Sequence, residues 1–226
     1  MRQRTKVLFI GNSFTFYSDI PDIFRKLADG VNESVAVESV TKGAYTLSKF
    51  ADSADAFGKI VDDKLRSSDD YDAVILQEQS MRPLGDYDGF LTAVKSLKDK
   101  IENTQKNCRI YLYSTWGYAA GADSLGVTVT QMEQCLTDAY NSVAAETGTK
   151  VCYVGKAFSS AYVEHTEIDL YYTDAKHPSY AGAFLSACVH AATVLGINPC
   201  DSAFAGELDE QTASVLKQIA LSAVAG

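Results

Sequence analysis

The sequence predicts an α/β protein in which a five-stranded parallel sheet is held between layers of helices. Two observations carry that expectation. Short apolar runs rich in β-branched residues recur at positions 7–10, 35–40, 73–76, 109–114 and 151–154. Between them, segments 20–28, 54–65, 90–101 and 129–145 place apolar residues three and four positions apart, which is the period of a helix with one buried face. Strands that alternate with helices form a parallel sheet under helical cover.

Taken in order, the first run ends at Gly11-Asn12-Ser13, and a helix is expected to begin near Asp19 or Pro21. Two further amphipathic regions, 180–195 and 209–224, close the chain. In open sheets of this kind ligands bind beyond the carboxyl ends of the strands. The loops at Gly11 to Ser13, Thr41 to Gly43, Gln77 to Ser80, Trp116-Gly117 and Asp174 to His177 should therefore open on one edge.

The 226 residues contain no repeat, no low-complexity tract and nothing that reads as a linker, so one domain is expected over 1–226. With 46% hydrophobic residues the core is large enough to stand without staples. Twenty basic against twenty-nine acidic residues give a net charge of −9, which disfavours nucleic acid and anionic membrane surfaces as partners. The acidic pairs Asp62-Asp63 and Asp69-Asp70 have no histidine or third carboxylate at ligand spacing, and no metal is expected. Five widely spaced cysteines without a CxxC pair suit reduced thiols in apolar surroundings. The chain enters a core strand at once and has no 18-residue apolar run. A cytoplasmic protein is the expectation, with a secreted protein trimmed of its leader as the alternative.

Asp174 stands three residues before His177, with Pro178 fixing the chain beside it. A carboxylate that holds one imidazole nitrogen leaves the other free to take a proton from a nucleophile. Ser13 is the candidate nucleophile. Alone, Gly-Asn-Ser reads as an ordinary turn, and the Asp-His pair is what lifts it above that. It is not the Gly-x-Ser-x-Gly elbow, because Thr15 stands where the second glycine belongs. His190 falls on the apolar face of its helix, and His165 has only Glu164 and Glu167 nearby, so both read as bystanders. An oxyanion needs preplaced donors, for which Gly43 and the amide of Gln79 are candidates, with Gln77 as the alternative.

These blocks, in this order, resemble the SGNH, or GDSL-like, hydrolases over most of the chain. The resemblance implies a flavodoxin-like three-layer α/β/α fold, acyl-ester hydrolysis and no cofactor. It casts Ser13 as nucleophile, His177 as general base and acid, and Asp174 as the orienting carboxylate, with an oxyanion hole from the N–H groups of Ser13 and Gly43 and the Gln79 side chain. Two departures stand out. Asn12 replaces the commoner aspartate, and Gln77-x-Gln79-Ser80 replaces Gly-x-Asn-Asp. The pattern is most similar to a branch with Gly-Asn-Ser and Leu-Gln-Glu-x-Ser blocks.

Gln77, Trp116 and Tyr118 are the expected substrate-side residues. Trp116 and Tyr118, with Tyr45, Tyr171 and Tyr172 near other site loops, could stack on sugar rings, which makes an acylated carbohydrate a candidate among small ester substrates. Two rival readings remain. In one, the hydroxyls of Ser13, Thr15 and Ser18 cradle the phosphate of a flavin, which leaves Asp174 and His177 without a role. In the other, the glutamine substitution marks an SGNH fold that only binds a ligand.

Overall fold

Strands form at each of the five apolar runs: β1 Thr5–Gly11, β2 Val35–Thr41, β3 Ala73–Leu76, β4 Arg109–Tyr113 and β5 Lys150–Cys152. They pair in parallel in the order β2-β1-β3-β4-β5. The computed structural model describes residues 4–67, 70–119 and 126–225, so Asp69 of the second acidic pair lies outside the described residues. The chain runs outward from β1 to β2 and then returns past β1 to β3. In sheets of this kind such a reversal marks the ligand-binding edge, here beyond the carboxyl ends of β1 and β3, where Gly11 pairs with Thr41 and Ile10 with Leu76.

Both faces of the sheet are covered. Val7 and Phe9 of β1, Ile75 of β3 and Tyr111 and Tyr113 of β4 enter one core with α2 Ile20–Asp29, α8 Val154–Glu164, α9 Tyr180–His190 and α10 Glu210–Ala225. Leu8, Ile10, Val74, Leu76 and Leu112 point the other way, against α3 Leu47–Ala51, α4 Ala56–Leu65, α6 Tyr87–Thr104 and α7 Val129–Thr147. This two-sided burial explains why the central strands β1 and β3 read as unbroken apolar runs. Two short helices, α1 Ser13–Phe16 and α5 Arg82–Gly85, sit at the loops after β1 and β3.

The fifth strand differs from expectation. It stops at Cys152, and Val154 already belongs to α8. The helical signal was present, since Val154, Ala157, Phe158 and Ala161 are buried in α8 at helical spacing, but β-branched Val151 and Val154 mask it in sequence. The thiols also divide: Cys152 and Cys188 are buried, whereas Cys135 and Cys200 are exposed. Asp62 is taken up by a 2.6 Å bond from Lys100. Among the described residues, no helix is long and apolar enough to cross a membrane.

His190 packs edge-on against Tyr113, 4.3 Å between ring centroids, and against Phe9 at 5.6 Å. Both ring nitrogens are buried with no partner among the described residues. Burial holds the imidazole down at about 3, so it sits in the core as a neutral ring. A histidine depressed in the folded state gives stability that is complete above its ordinary value and lost as pH falls toward 3. His190→Phe should flatten this acid loss, seen as a smaller fall of Tm between pH 7 and pH 4 than in wild type; an unchanged slope would contradict the assignment.

Candidate active site

Ser13 is the first residue of α1, held at the end of β1 by the residues beside it. Asn12 caps the helix through Phe14 N–H, 3.2 Å from its Oδ1. Gly11 is required by close approach, because a Cβ there would lie 2.4 Å from Thr15 Oγ1 and 2.7 Å from Gln77 Oε1. The fully buried Gln77 accepts from Asn12 N–H at 2.7 Å and from the Thr15 hydroxyl at 3.0 Å, and its amide donates to the Glu78 carbonyl. Its polar atoms are thereby engaged inside the protein. The expected place for Gln77 on the substrate side is corrected: it fastens the end of β3 to the turn after β1.

Asn12 Nδ2 donates to the Tyr45 carbonyl at 3.0 Å, which ties the loop after β2 to the same turn. An aspartate could not donate there, and this is the local reason an asparagine fits. The loop brings Gly43 past Phe16, whose ring would be 3.9 Å from a Cβ at Gly43. The N–H groups of Ser13 and Gly43 have no partner among the described residues.

His177 arrives from the far end of the chain. The loop before α9 closes on itself through Tyr172 N–H to the His177 carbonyl at 2.7 Å and Ser179 N–H to the Leu170 carbonyl at 3.0 Å. His177 Nε2 lies 2.8 Å from Ser13 Oγ, and Nδ1 lies 2.5 Å from Asp174 Oδ2. The other Asp174 oxygen accepts from the N–H groups of Lys176 and His177 at 3.0 and 2.9 Å. Partial burial opposes ionisation of Asp174, but the His177 ring and these two N–H donors outweigh it and bring the carboxyl down to about 2.

The imidazole is one layer of an aromatic column. Tyr17 stacks on it at 4.2 Å, Phe14 lies 5.2 Å away on a tilted plane, and Phe14 in turn stacks on Trp116 at 4.7 Å. Trp116 stacks on Phe158 at 4.0 Å and donates from Nε1 to the Lys176 carbonyl at 3.0 Å. Trp116 is fully buried, so it offers no face to a sugar; the expectation of substrate contact is corrected to one of bracing the histidine loop. Tyr171 is likewise buried and donates to the Gly117 carbonyl at 2.8 Å. Tyr118 is half-buried and bonds the Ser80 hydroxyl. Exposed aromatic surface belongs instead to Phe16, 41% exposed, and Tyr172, 52% exposed. The roles of Tyr17 and Phe14 were missed, although both follow Ser13 within one short helix and turn.

The third block is built around a carboxyl. Glu78 is fully buried, and its Oε1 accepts from Gln79 N–H at 2.6 Å and Leu47 N–H at 3.0 Å. Its Oε2 has no partner among the described residues. Burial pushes the group up to about 7 against the pull of those two donors. Gln79 is half-buried and accepts from Met81 N–H at 3.1 Å through Oε1. Its Nε2 has no partner among the described residues and so remains a free donor. Thr15 is buried and committed to Gln77, which removes one of the hydroxyls a flavin phosphate would need. Ala44, Ala175, Ser18 and Asp19 all have φ between 53° and 59°, so left-handed non-glycine residues gather in the loops bordering the site.

No family model and no curated protein matches the chain in sequence. Solved structures do match. A candidate SGNH hydrolase from Slackia heliotrinireducens is 26% identical with a TM-score of 0.71, covering 84% of this chain and 99% of that one. A DUF4886 family protein from Bacteroides uniformis is 18% identical with a TM-score of 0.85, covering 99% and 95%. A lipase/acylhydrolase from Enterococcus faecalis is 15% identical with a TM-score of 0.61, covering 85% and 96%. The chain has the α/β/α fold of the SGNH, or GDSL-like, hydrolases.

Asn12→Asp should cost about 1–3 kcal/mol of stability, because a carboxylate oxygen would face the Tyr45 carbonyl where a donor now sits. Chemical denaturation at neutral pH measures it, and the deficit should shrink in acid as the new carboxyl takes up a proton. A variant as stable as wild type would remove the assigned role of Asn12.

Proposed function

We propose that the protein is a serine esterase that cleaves small esters through an acyl-enzyme on Ser13. The observation that carries this is the chain of contacts from Ser13 Oγ to His177 Nε2 and from His177 Nδ1 to Asp174. His177 removes the Ser13 proton as Oγ attacks the ester carbonyl, then returns it to the departing alcohol. Water repeats the sequence on the acyl-enzyme, forms the acid and frees the serine. Asp174, held ionised by its donors, fixes the ring tautomer and balances the imidazolium that forms. The developing oxyanion is met by the N–H groups of Ser13 and Gly43 and by the Gln79 amide, each without another partner among the described residues.

The fold shared with a candidate SGNH hydrolase and a lipase/acylhydrolase supports ester-bond hydrolysis. The open aromatic surface of Phe16 and Tyr172 beside the site suits an acylated carbohydrate, since sugar rings present flat C–H faces to such side chains. The reaction draws only on side chains, backbone donors and water. A protein that merely binds a ligand would have no use for an imidazole held on both sides in this way.

Fluorophosphonate should label Ser13 once, located by peptide mass spectrometry; label at Ser80 or Ser179, or none, rejects the assignment. Ser13→Ala and His177→Ala should each abolish most turnover of a short-chain aryl ester, and the double variant should be little worse, since the pair works as a unit. Asp174→Asn should lower kcat by roughly 10³-fold to 10⁴-fold through loss of tautomer control.

Gln79→Ala should lower kcat by roughly 10²-fold to 10³-fold with little change in KM, the usual effect of removing one oxyanion donor. Gln79→Asn should also fall below wild type, because the shorter amide stops short of the hole. If Gln79→Ala keeps full kcat while Gln77→Ala loses it with its fold intact, the donor has been assigned to the wrong glutamine.

A further inference from the structure

We propose that Glu78 is a positioning residue whose buried carboxyl clamps the segment following Gly43 to the backbone of Gln79, and so sets the shape of the oxyanion hole. The inference rests on the esterase reading and adds to it a residue that touches neither substrate nor the reacting atoms. One oxygen, Oε1, receives both Leu47 N–H at 3.0 Å and Gln79 N–H at 2.6 Å. Leu47 opens α3 directly after the turn that carries Gly43 and Ala44, the latter left-handed at φ 59°. Among the described residues, that turn is also tied from the site side by Lys42 N–H to the Gly11 carbonyl and by Asn12 Nδ2 to the Tyr45 carbonyl. A shift of either loop by even an ångström would move a donor out of reach of the oxyanion. A shared acceptor keeps both loops at one distance.

A carboxyl in this place also makes the hole sensitive to charge. Neutral, Glu78 offers Oε1 to two N–H groups and puts no charge next to the oxyanion. Ionised, it sets a negative charge one residue from Gln79 and opposes the charge that grows in the transition state. Burial pushes the group up to about 7, so this change falls near neutral pH. The charged and titratable groups around it are Arg82, which favours the ionised form, and Asp86, which disfavours it. The buried Tyr140 hydroxyl of α7 interacts with it as well. Arg82 is already engaged by Asp86 at 2.9 Å, so its charge is partly spent before it reaches Glu78.

Two variants separate the parts of this role. Glu78→Gln keeps the acceptor oxygen and abolishes ionisation; Glu78→Leu removes the acceptor. With an aryl ester as probe, wild-type kcat should decline by roughly tenfold above pH 7, and Glu78→Gln should lose that decline while staying within about threefold of wild type at pH 6. Glu78→Leu should lower kcat by roughly 10-fold to 100-fold at all pH values with KM little changed. An alkaline decline that persists in Glu78→Gln overturns the proposal, and so does a folded Glu78→Leu with wild-type kcat. Should Glu78→Leu fail to fold, the pH profile of Glu78→Gln decides. Should wild type hydrolyse no ester, the esterase reading fails by itself, and the clamp is judged by amide hydrogen exchange at pH 6 on Glu78→Leu, or on Glu78→Ala if the leucine does not fold. The amides of Leu47 and Gln79 should exchange faster together; acceleration at only one of them rejects the bridge.

Discussion

The arrangement of the active edge depends on where the Gln77 amide points. Two parallel strands that meet at a reversal of strand order have no hydrogen-bonding ladder beyond their last pair, and Ile10 with Leu76 is that pair here. Beyond it the chain must satisfy its own polar groups. Gln77 does so by entering the space that Gly11 leaves open and accepting from Asn12 N–H and the Thr15 hydroxyl. With Asn12 fixed, its side chain can both cap α1 and hold the Tyr45 carbonyl. Ser13 then starts a helix with its own N–H unengaged among the described residues, which is the condition the proposed nucleophile needs to donate to its oxyanion as well. A buried amide left unpaired at this point would cost a large fraction of the few kcal/mol by which a protein is stable.

Two carboxyls near this edge show how environment alone divides one functional group into two behaviours. Asp174 is partly open to solvent and receives bonds on both oxygens, so it stays charged under any ordinary condition. Glu78 is closed off, gathers both of its donors on one oxygen and leaves the other without a partner among the described residues. The first can balance an imidazolium; burial raises the second toward neutral pH. The difference follows from the count of donors and the access of water, not from the residue type.

Much of this was legible in sequence because the deciding relations are local. Asp174 and His177 share one short loop, and Gly11-Asn12-Ser13 follows an apolar strand whose carboxyl end any parallel sheet would present on the site side. The two glutamines were harder. Both follow β3, where strand alternation no longer says which side chain turns inward, and the answer lies in the missing side chain of Gly11 on the neighbouring strand. Trp116 was misread for a similar reason. An aromatic residue after a strand looks the same whether its faces are bare or covered, and its covers come from α1 and from α8, the helix that β-branched valines concealed. Tyr17 stacks on His177 from a turn after α1 that goes on through left-handed Ser18 and Asp19, which no periodicity announces.

Trp116 is the only tryptophan in the chain. Its indole is dry, lies face to face with Phe158 on one side and Phe14 on the other, and is hydrogen-bonded to the loop that delivers His177. The protein therefore contains a built-in optical reporter. Near-ultraviolet light absorbed at this one ring is emitted from a site in direct contact with the histidine loop, so the colour and intensity of emission follow the order of that loop without any added label, and without interference from a second indole elsewhere in the molecule.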